Sequence, residues 1–159
     1  MKKPLTPAEA LNKASAYCTL CERCTSEVTS KLTQWGIEPS EQIKIIERLQ
    51  QEGFIDEERY CRAFVNDKVR FNRWGRIKIR AVLSEKRLPR ELVSEAIENI
   101  NEDEYMNALA EVISAKRREL KGKDDYAAQQ KIMRHAASRG YEPSLIMKAI
   151  NYSGYEMDF

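Results

Sequence analysis

The sequence predicts an all-α fold built from three tandem three-helix repeats, and three observations lead to that prediction. Apolar residues recur at helical spacing through most of the 159 residues. Alternating β-branched runs and Asn-Gly or Asp-Gly hairpin turns are absent from the sequence. The same order of helix starts and stops also returns with a period of roughly fifty residues, as in helical repeat arrays.

The first repeat is expected over 6–52, after a short flexible lead at 1–5. Its first helix begins at Thr6, an N-cap hydroxyl followed by Pro7 at the first helical position. Glycines are expected to end the second and third helices in the left-handed conformation. The helices of this repeat are predicted over 7–20, 25–35 and 39–51.

The second repeat is expected over 53–101 and the third over 102–152, followed by a tail at 153–159. In the second repeat, Asp56, Gly75 and Pro89 mark the helix starts. In the third repeat, apolar positions over 105–113, 128–136 and 145–150 mark three more helices. The residues expected to form the core of the second repeat are Tyr60, Phe64, Ile79 and Leu83.

Direct superposition supports the repeat, because residues 31–46, 82–97 and 135–150 share their apolar positions and turn residues. Gly36 and Gly140 occupy the same place in the first and third copies. Arg87 stands there in the second copy, so the helix before it is expected to end in a different way.

Positive charge is concentrated in the middle of the chain, although the net charge is only +2. Nine Lys and Arg residues lie between Lys68 and Arg90, with Glu85 as the only acid among them. A second basic cluster lies at 116–123. This distribution indicates a surface for an anionic partner, which is either a nucleic acid or an acidic protein face.

Four cysteines raise the question of a metal site, because Cys18, Cys21 and Cys24 are spaced as in part of a zinc or iron–sulfur motif. A fourth ligand is missing nearby, since Cys61 falls in an apolar helical stripe and His135 is distant in sequence. The cysteines are therefore interpreted as small, partly buried apolar residues. A metal or redox role is the alternative.

Sequence motifs for catalysis are missing: there is no phosphate-binding loop, and His135 has no evident nucleophile partner. We therefore expect no enzyme activity, catalytic residue, metal or other cofactor. No apolar run approaches the ~20 residues of a membrane-spanning helix, and no signal-peptide pattern opens the chain. A soluble, cytoplasmic protein is expected.

Several short motifs together resemble the RecX family, the bacterial regulators of the recombinase RecA. The resemblance covers nearly the whole chain and is most specific over 23–97. The matching motifs are Arg23-x-Thr25-Ser26-Glu27-Val28, Gly53-Phe54-Ile55-Asp56-Glu57, Tyr60-x-x-Ala63-Phe64-Val65, Trp74-Gly75-Arg76-x-x-Ile79, Leu83-x-x-x-Arg87-Leu88 and Glu95-Ala96-Ile97.

The resemblance implies a non-enzymatic monomer whose repeats form an elongated, curved array. It implies binding in the groove of the RecA–DNA filament and restraint of ATP hydrolysis, filament growth and strand exchange, within homologous recombination, DNA repair and the SOS response. The residues expected to contact an acidic RecA surface or DNA phosphates are Lys68, Arg70, Arg73, Arg76, Lys78, Arg80 and Arg87. The alternative is a helix-turn-helix-like nucleic-acid-binding module that acts without RecA.

Overall fold

The computed structural model describes residues 4–157, and the side chains of residues 4–151. Within residues 4–157 the chain forms nine α-helices and one short π-helical segment, without strands, so the all-α prediction is confirmed. The α-helices are α1 Pro7–Leu20, α2 Thr25–Gln34, α3 Pro39–Gln51, α4 Glu57–Asp67, α5 Arg76–Glu85, α6 Arg90–Glu98, α7 Glu102–Glu119, α8 Tyr126–Ser138 and α9 Pro143–Met157, and the π-helical segment is Lys68–Asn72.

The chain divides into two compact units. Unit 1 contains the chain up to Ala63 together with Leu83–Val93, and unit 2 contains Phe64–Val82 together with the chain from Ser94 onward. The expected second repeat, 53–101, therefore contributes segments to both units.

Unit 1 is built around α1, α2 and α3. The hydroxyl of Thr6 accepts the Glu9 N–H at 3.2 Å and caps α1, as its sequence predicts. The apolar faces of the three helices meet in a buried core, where Trp35 and Phe54 lie partly buried at the edge. The buried core residues are Ala10, Ala14, Cys18, Val28, Leu32, Ile37, Ile45, Ile46, Leu49 and Ile55.

Helices α2, α5 and α8 end in the same way, although the residues at their ends differ. Gly36, Arg87 and Gly140 all have positive φ, at 79°, 60° and 97°. The next N–H in each case returns to a carbonyl five residues earlier, which is the long hydrogen bond of a Schellman end. These bonds are Ile37 to Leu32 at 3.0 Å, Leu88 to Leu83 at 3.4 Å and Tyr141 to Ala136 at 3.3 Å. The expectation that Arg87 changes the helix end is wrong, because the arginine itself adopts the left-handed conformation.

Unit 2 is built around α7, α8 and α9, with the π-helical segment packed on α7. Its core is aromatic as well as aliphatic: the rings of Tyr105 and Tyr141 are 5.2 Å apart and both are buried. Aliphatic residues complete the core, among them Leu109, Val112, Ile113, Ile132 and Ile146.

The four residues expected in the core of the second repeat differ in burial. Tyr60, Ile79 and Leu83 are buried. Phe64 is only half-buried, because its ring lies edge-on against Trp74 at 6.2 Å rather than inside the helix bundle.

The expected lead and tail both reach beyond the described residues. Residues 1–3 of the lead lie outside them, whereas Leu5 is partly buried against the unit 1 core. Helix α9 continues to Met157, so positions 153–157 of the expected tail are helical, and 158–159 lie outside the described residues.

Candidate partner-binding surface

The seven cations expected to contact a partner fall into groups with different surroundings. Six of them lie in unit 2, on the π-helical segment, at the residue directly after it and on α5, and Arg87 lies in unit 1. Three of the six form ion pairs with carboxylates of the same unit, and two lie against a tryptophan ring. The basic residues that the sequence grouped together thus differ in their partners and in how much of their charge is compensated.

Arg70 and Arg73 each pair with a carboxylate of α7. The Arg70 Nη2 atom is 3.1 Å from Glu104 Oε1, and the Arg73 Nη2 atom is 2.5 Å from Glu111 Oε2. All four side chains are about half exposed, and exposed pairs of this kind contribute roughly 0.2–1 kcal/mol each. They nevertheless neutralise two of the charges that were expected to face a partner.

Arg76 is the most enclosed cation of the group. Its Nη1 atom donates to Glu142 Oε2 at 2.8 Å, its Nη2 atom pairs with Glu102, and its guanidinium lies 3.9 Å from the centre of the Tyr105 ring. The Tyr105 hydroxyl donates to Glu142 and accepts the backbone N–H of Arg76 at 3.0 Å. The pKa of Tyr105 is raised, mainly because the hydroxyl is buried and also because it donates a hydrogen bond to Glu142. The arginine is therefore part of the internal structure of unit 2.

The start of α5 is held by the turn between α8 and α9. The Gly75 N–H donates to the Arg139 carbonyl at 2.8 Å, and the Ile77 N–H donates to the Gly140 carbonyl at 3.0 Å. The backbones approach so closely that a Cβ atom on Gly75 would lie 2.2 Å from the Gly140 carbonyl carbon. A glycine is required here for space, a reason that the sequence pattern did not reveal.

Lys68 and Lys78 lie against Trp74. Their Nζ atoms are 4.7 Å and 4.4 Å from the centre of the indole ring, and Lys68 Nζ is also 5.3 Å from the Phe64 ring. Cation–π contacts of this kind hold an ammonium in place without removing its charge. Within the described side chains, neither ammonium has a carboxylate partner.

The two remaining cations are exposed. Arg80 donates to the Ser94 hydroxyl at 3.1 Å, which leaves its charge uncompensated. Arg87 lines a cleft of about 620 Å³ in unit 1, together with the hydroxyl-bearing face of α2. The neighbouring Lys86 instead pairs with Glu27 at 3.5 Å.

The acids that pair with the basic stretch were not recognised as functional or structural partners in the sequence. They lie 26 to 66 residues farther along the chain, on α7 and immediately before α9. The one available signal was the acidic composition around 95–104. Composition does not pair individual residues, so a tertiary structure was needed to match each acid to its arginine.

The second basic cluster, at 116–123, is also partly neutralised. Lys116 pairs with Glu119 at 3.1 Å, and Arg117 donates to the Ile150 carbonyl. Lys121 and Lys123 line a cleft of about 410 Å³ that also contains the carboxylates of Glu119 and Asp125. The mixture of charges makes this surface less suited to an anionic partner than Lys68 and Lys78.

The cysteines are free thiols: Cys18, Cys24 and Cys61 are buried, whereas Cys21 is exposed. Burial raises the pKa of the Cys18 and Cys24 thiols and raises that of Cys61 to about 11. Protonated thiols are poor metal ligands and nucleophiles. Among the described residues, no group of three His, Cys, Asp or Glu side chains is placed to hold a metal ion.

His135 lies half-buried on α8. Its burial is the main cause that lowers its pKa, and the positive charges of Lys116 and Arg139 lower the pKa further. The hydroxyl of Ser138 donates to the His135 backbone carbonyl, not to its ring. No helix among residues 4–157 has the length and apolar character needed to span a membrane.

Family models match two consecutive segments of the chain. Residues 56–97 match the second three-helix domain of RecX, and residues 102–150 match the third three-helix domain of RecX. The chain belongs to the RecX family. The sequence resemblance is confirmed, and with it the prediction of an all-α helical repeat fold.

Curated relatives carry the same name. The chain is 27% identical to the regulatory protein RecX of Prosthecochloris aestuarii, over 90% of this chain and 92% of that protein. It is 23% identical to the regulatory protein RecX of Lactobacillus johnsonii, over 91% of this chain and 54% of that protein. The chain thus spans nearly the whole of the first relative and about half of the second. Both names describe regulatory proteins of the RecX family.

Solved structures show the same fold. The crystal structure of RecX from Lactobacillus salivarius matches 92% of this chain and 95% of its own, with a TM-score of 0.80 and 18% identity. A second crystal structure of regulatory protein RecX matches 91% of this chain with a TM-score of 0.79. At this identity the likeness concerns the fold alone.

Proposed function

We propose that this protein regulates RecA by binding the RecA–DNA filament and that it mainly inhibits ATP hydrolysis, filament growth and strand exchange. The observation that carries the proposal is the match of two consecutive segments, 56–97 and 102–150, to successive RecX domains. The protein acts in the cytoplasm as a non-enzymatic regulator of recombination and DNA repair. Its three repeats are proposed over 6–52, 53–101 and 102–152.

The contact surface in this proposal is narrower than the basic stretch of the sequence. In unit 2, Lys68, Lys78 and Arg80 are the contact residues, because none of them forms an ion pair with a described side chain. In unit 1, Arg87 also has no such ion pair and is proposed as a separate contact. The charges of Arg70, Arg73 and Arg76 are instead compensated by carboxylates within unit 2. Uncompensated charge accelerates association and favours a complementary acidic or phosphate surface.

The test is the DNA-dependent ATPase of RecA from the same organism, measured on single-stranded DNA with increasing amounts of the protein. We expect inhibition that begins below one protein per RecA subunit, since a filament offers many equivalent sites. Full RecA activity at a stoichiometric excess of the purified, folded protein would contradict the proposal.

A charge-reversal pair locates the surface. K78E combined with R80E is expected to weaken inhibition by about tenfold or more, since each reversed contact costs at least 1 kcal/mol of binding. The control is R48E in unit 1, whose wild-type arginine is 58% exposed and pairs with Glu52 at 2.6 Å. Equal inhibition by the pair variant and the control would show that α5 is not the contact.

The alternative function, a nucleic-acid-binding module that acts without RecA, is favoured by one observation. Phe71 is 79% exposed and lies between Arg70 and Arg73, which is an arrangement suited to base stacking. This alternative predicts tight, steeply salt-dependent binding of naked DNA and no effect on RecA beyond competition for DNA.

A further inference from the structure

The end of helix α1 carries two of the four cysteines at a spacing that allows them to react with each other. Cys21 is the only one of the four thiols that is exposed, and it is the residue directly after α1. Cys18 lies one helical turn earlier, in the core cluster of unit 1, and is 9% exposed. An exposed thiol beside a nearly buried one is the arrangement of an attacking and a resolving cysteine.

The backbone sets the separation of these two residues. Positions 19 and 20 are both helical, so the Cα atom of Cys21 follows that of Cys18 by three helical steps. With a rise of about 1.5 Å per residue and a Cα radius of about 2.3 Å, these two atoms are about 5 Å apart. Disulfides join residues whose Cα atoms are roughly 4.4–6.8 Å apart. The backbone at the end of α1 therefore already meets the distance requirement for a disulfide.

The two remaining cysteines are less available. The Cys24 thiol is fully buried at the start of α2, where its Sγ atom is 3.2 Å from the Ser26 hydroxyl and 3.3 Å from Glu27 Oε1. Cys61 is fully buried on α4. A water-soluble oxidant has no access to either thiol in the folded protein. Thiol oxidation is therefore confined to the end of α1.

Arg23 favours the second step of such an oxidation. Burial raises the pKa of the Cys18 thiol, and the positive charge of Arg23 is the largest influence in the opposite direction. Arg23 is held in place, because its Nε atom donates to the Tyr17 carbonyl at 3.2 Å and its guanidinium lies 3.9 Å from the centre of the Tyr17 ring. The exposed Cys21 therefore meets the oxidant first, and Arg23 lowers the cost of ionising Cys18 afterwards.

We propose that Cys18 and Cys21 form a reversible disulfide when the protein meets a peroxide, so that the end of α1 is a redox-sensitive site. The Cys21 thiolate attacks one oxygen of hydrogen peroxide, the O–O bond breaks, and the released hydroxide takes up a proton to leave as water. The Cys18 sulfur then attacks the sulfur of the sulfenic acid, the S–O bond breaks, and the hydroxide leaves with the thiol proton as a second water. The two thiols lose two electrons, which reduce the peroxide, and a dithiol reductant reverses the reaction.

The disulfide would restrain a turn that connects three helices of unit 1. Residues 21–24 lead from α1 to α2, and within them Glu22 Oε1 accepts from Arg59 of α4 at 2.6 Å. A bond across positions 18–21 therefore limits the backbone next to the residue that reaches α4. The site uses no residue of the proposed contact surface, so it does not depend on the proposed function.

Peptide mapping of the purified, intact chain identifies the bond. The reduced protein is treated with a few equivalents of hydrogen peroxide, alkylated with iodoacetamide and digested with trypsin without reduction. Cys18 and Cys21 share the tryptic peptide 14–23, whereas the next peptide, 24–31, begins with Cys24. We expect peptide 14–23 to carry no alkyl group and to be about 2 Da lighter than its reduced form. Dithiothreitol should restore both thiols.

Two variants separate the two steps of the reaction. In C18S the resolving thiol is missing, so Cys21 is expected to stop at the sulfenic acid and to be labelled by dimedone. In C21S the exposed thiol is missing, so neither a disulfide nor a dimedone adduct should form. The control is C24S, which should form the disulfide as the wild type does, because serine is also a favourable N-cap residue for α2. Circular dichroism checks that each variant is folded.

Three results would overturn the proposal. Alkylation of peptide 14–23 at both cysteines after peroxide treatment would show that the thiols do not react. A cross-link between peptides 14–23 and 24–31 would show that a different pair reacts. A disulfide-linked dimer on a non-reducing gel, abolished by C21S, would show that Cys21 reacts between copies of the chain. Because RecA takes no part in these measurements, their failure would leave the proposed function untouched.

Discussion

Replacing Arg76 by alanine tests whether this arginine is a structural residue or a partner contact. The sequence places Arg76 and Arg80 together on one helix face, so both were expected to meet the partner. The structure separates them, because the Arg76 side chain is 20% exposed and bonded to Glu142, whereas Arg80 is exposed with only a serine partner. R76A should therefore destabilise unit 2, and R80A should not.

The size of the effect follows from three contacts. The charged hydrogen bond to Glu142, at 2.8 Å between partly buried side chains, is worth about 1.5–3 kcal/mol. The cation–π contact with Tyr105 adds about 0.5–1 kcal/mol, and the pair with Glu102, which is 69% exposed, adds at most about 0.5 kcal/mol. Because all three share one guanidinium they do not add fully. We expect R76A to lower the free energy of unfolding by about 3 kcal/mol.

Urea denaturation followed by circular dichroism measures the change, with R48A as the control. The Arg48–Glu52 pair is 58% and 42% exposed, so its loss should cost only about 0.3–0.5 kcal/mol. A double-mutant cycle with E142Q should give a coupling energy of about 1–2 kcal/mol. If R76A unfolds within 0.5 kcal/mol of the wild type but no longer inhibits RecA, the arginine is a contact residue and our reasoning is wrong.

Three further predictions follow from the structure. G75A should destabilise the protein by about 3 kcal/mol in thermal unfolding, because its methyl group would overlap the backbone of the turn after α8, whereas G122A, at an open position, should cost about 1 kcal/mol; equal effects would exclude the packing explanation. R87G should raise the free energy of unfolding by about 1 kcal/mol by relieving a φ of 60°, and a loss of stability would mean that the side chain has a structural role. Burial alone would raise the pKa of Glu27, but hydrogen bonds from Cys24 and the charge of Lys86 outweigh it and lower the pKa from its ordinary value of 4.5. The ionised Glu27 therefore stabilises the folded protein fully above about pH 4.5, and this stabilisation is lost as the pH falls through the lower pKa of the folded state. In urea unfolding at a series of pH values, E27Q should show a smaller loss of stability at acid pH than the wild type.

Local signals were sufficient for most of the fold. Thr6 and Pro7 predicted the start of α1, and Gly36 and Gly53 predicted the ends of α2 and α3, because capping depends on a few neighbouring residues. The prediction for Arg87 was wrong because the left-handed conformation is disfavoured for arginine but not forbidden, and Arg87 adopts it with a φ of 60°. Packing in the repeat outweighs that cost.

Side-chain surroundings were harder to predict than helices. Helix α3 carries isoleucines at 43, 45 and 46, and of these Ile43 is 62% exposed whereas Ile45 and Ile46 are buried. A helix with apolar residues at adjacent positions offers two possible faces, and the rest of the unit selects between them. The roles of Arg76 and Gly75 depend on partners about 65 residues later in the chain, at Glu142 and Gly140. Helical periodicity reports only on residues a few positions apart, so it could not predict these contacts.

The contact between Gly75 and the turn after α8 has a consequence for the synthesis of the protein. The amides that open α5 find their acceptors at Arg139 and Gly140. At about 5–20 residues per second, a ribosome needs roughly 3–13 s after adding Gly75 to reach residue 139. Until then these amides can bond only to water, so the front of α5 is expected to fray in the nascent chain. The start of α5 thus reaches its final conformation only after the turn between α8 and α9 has been synthesised.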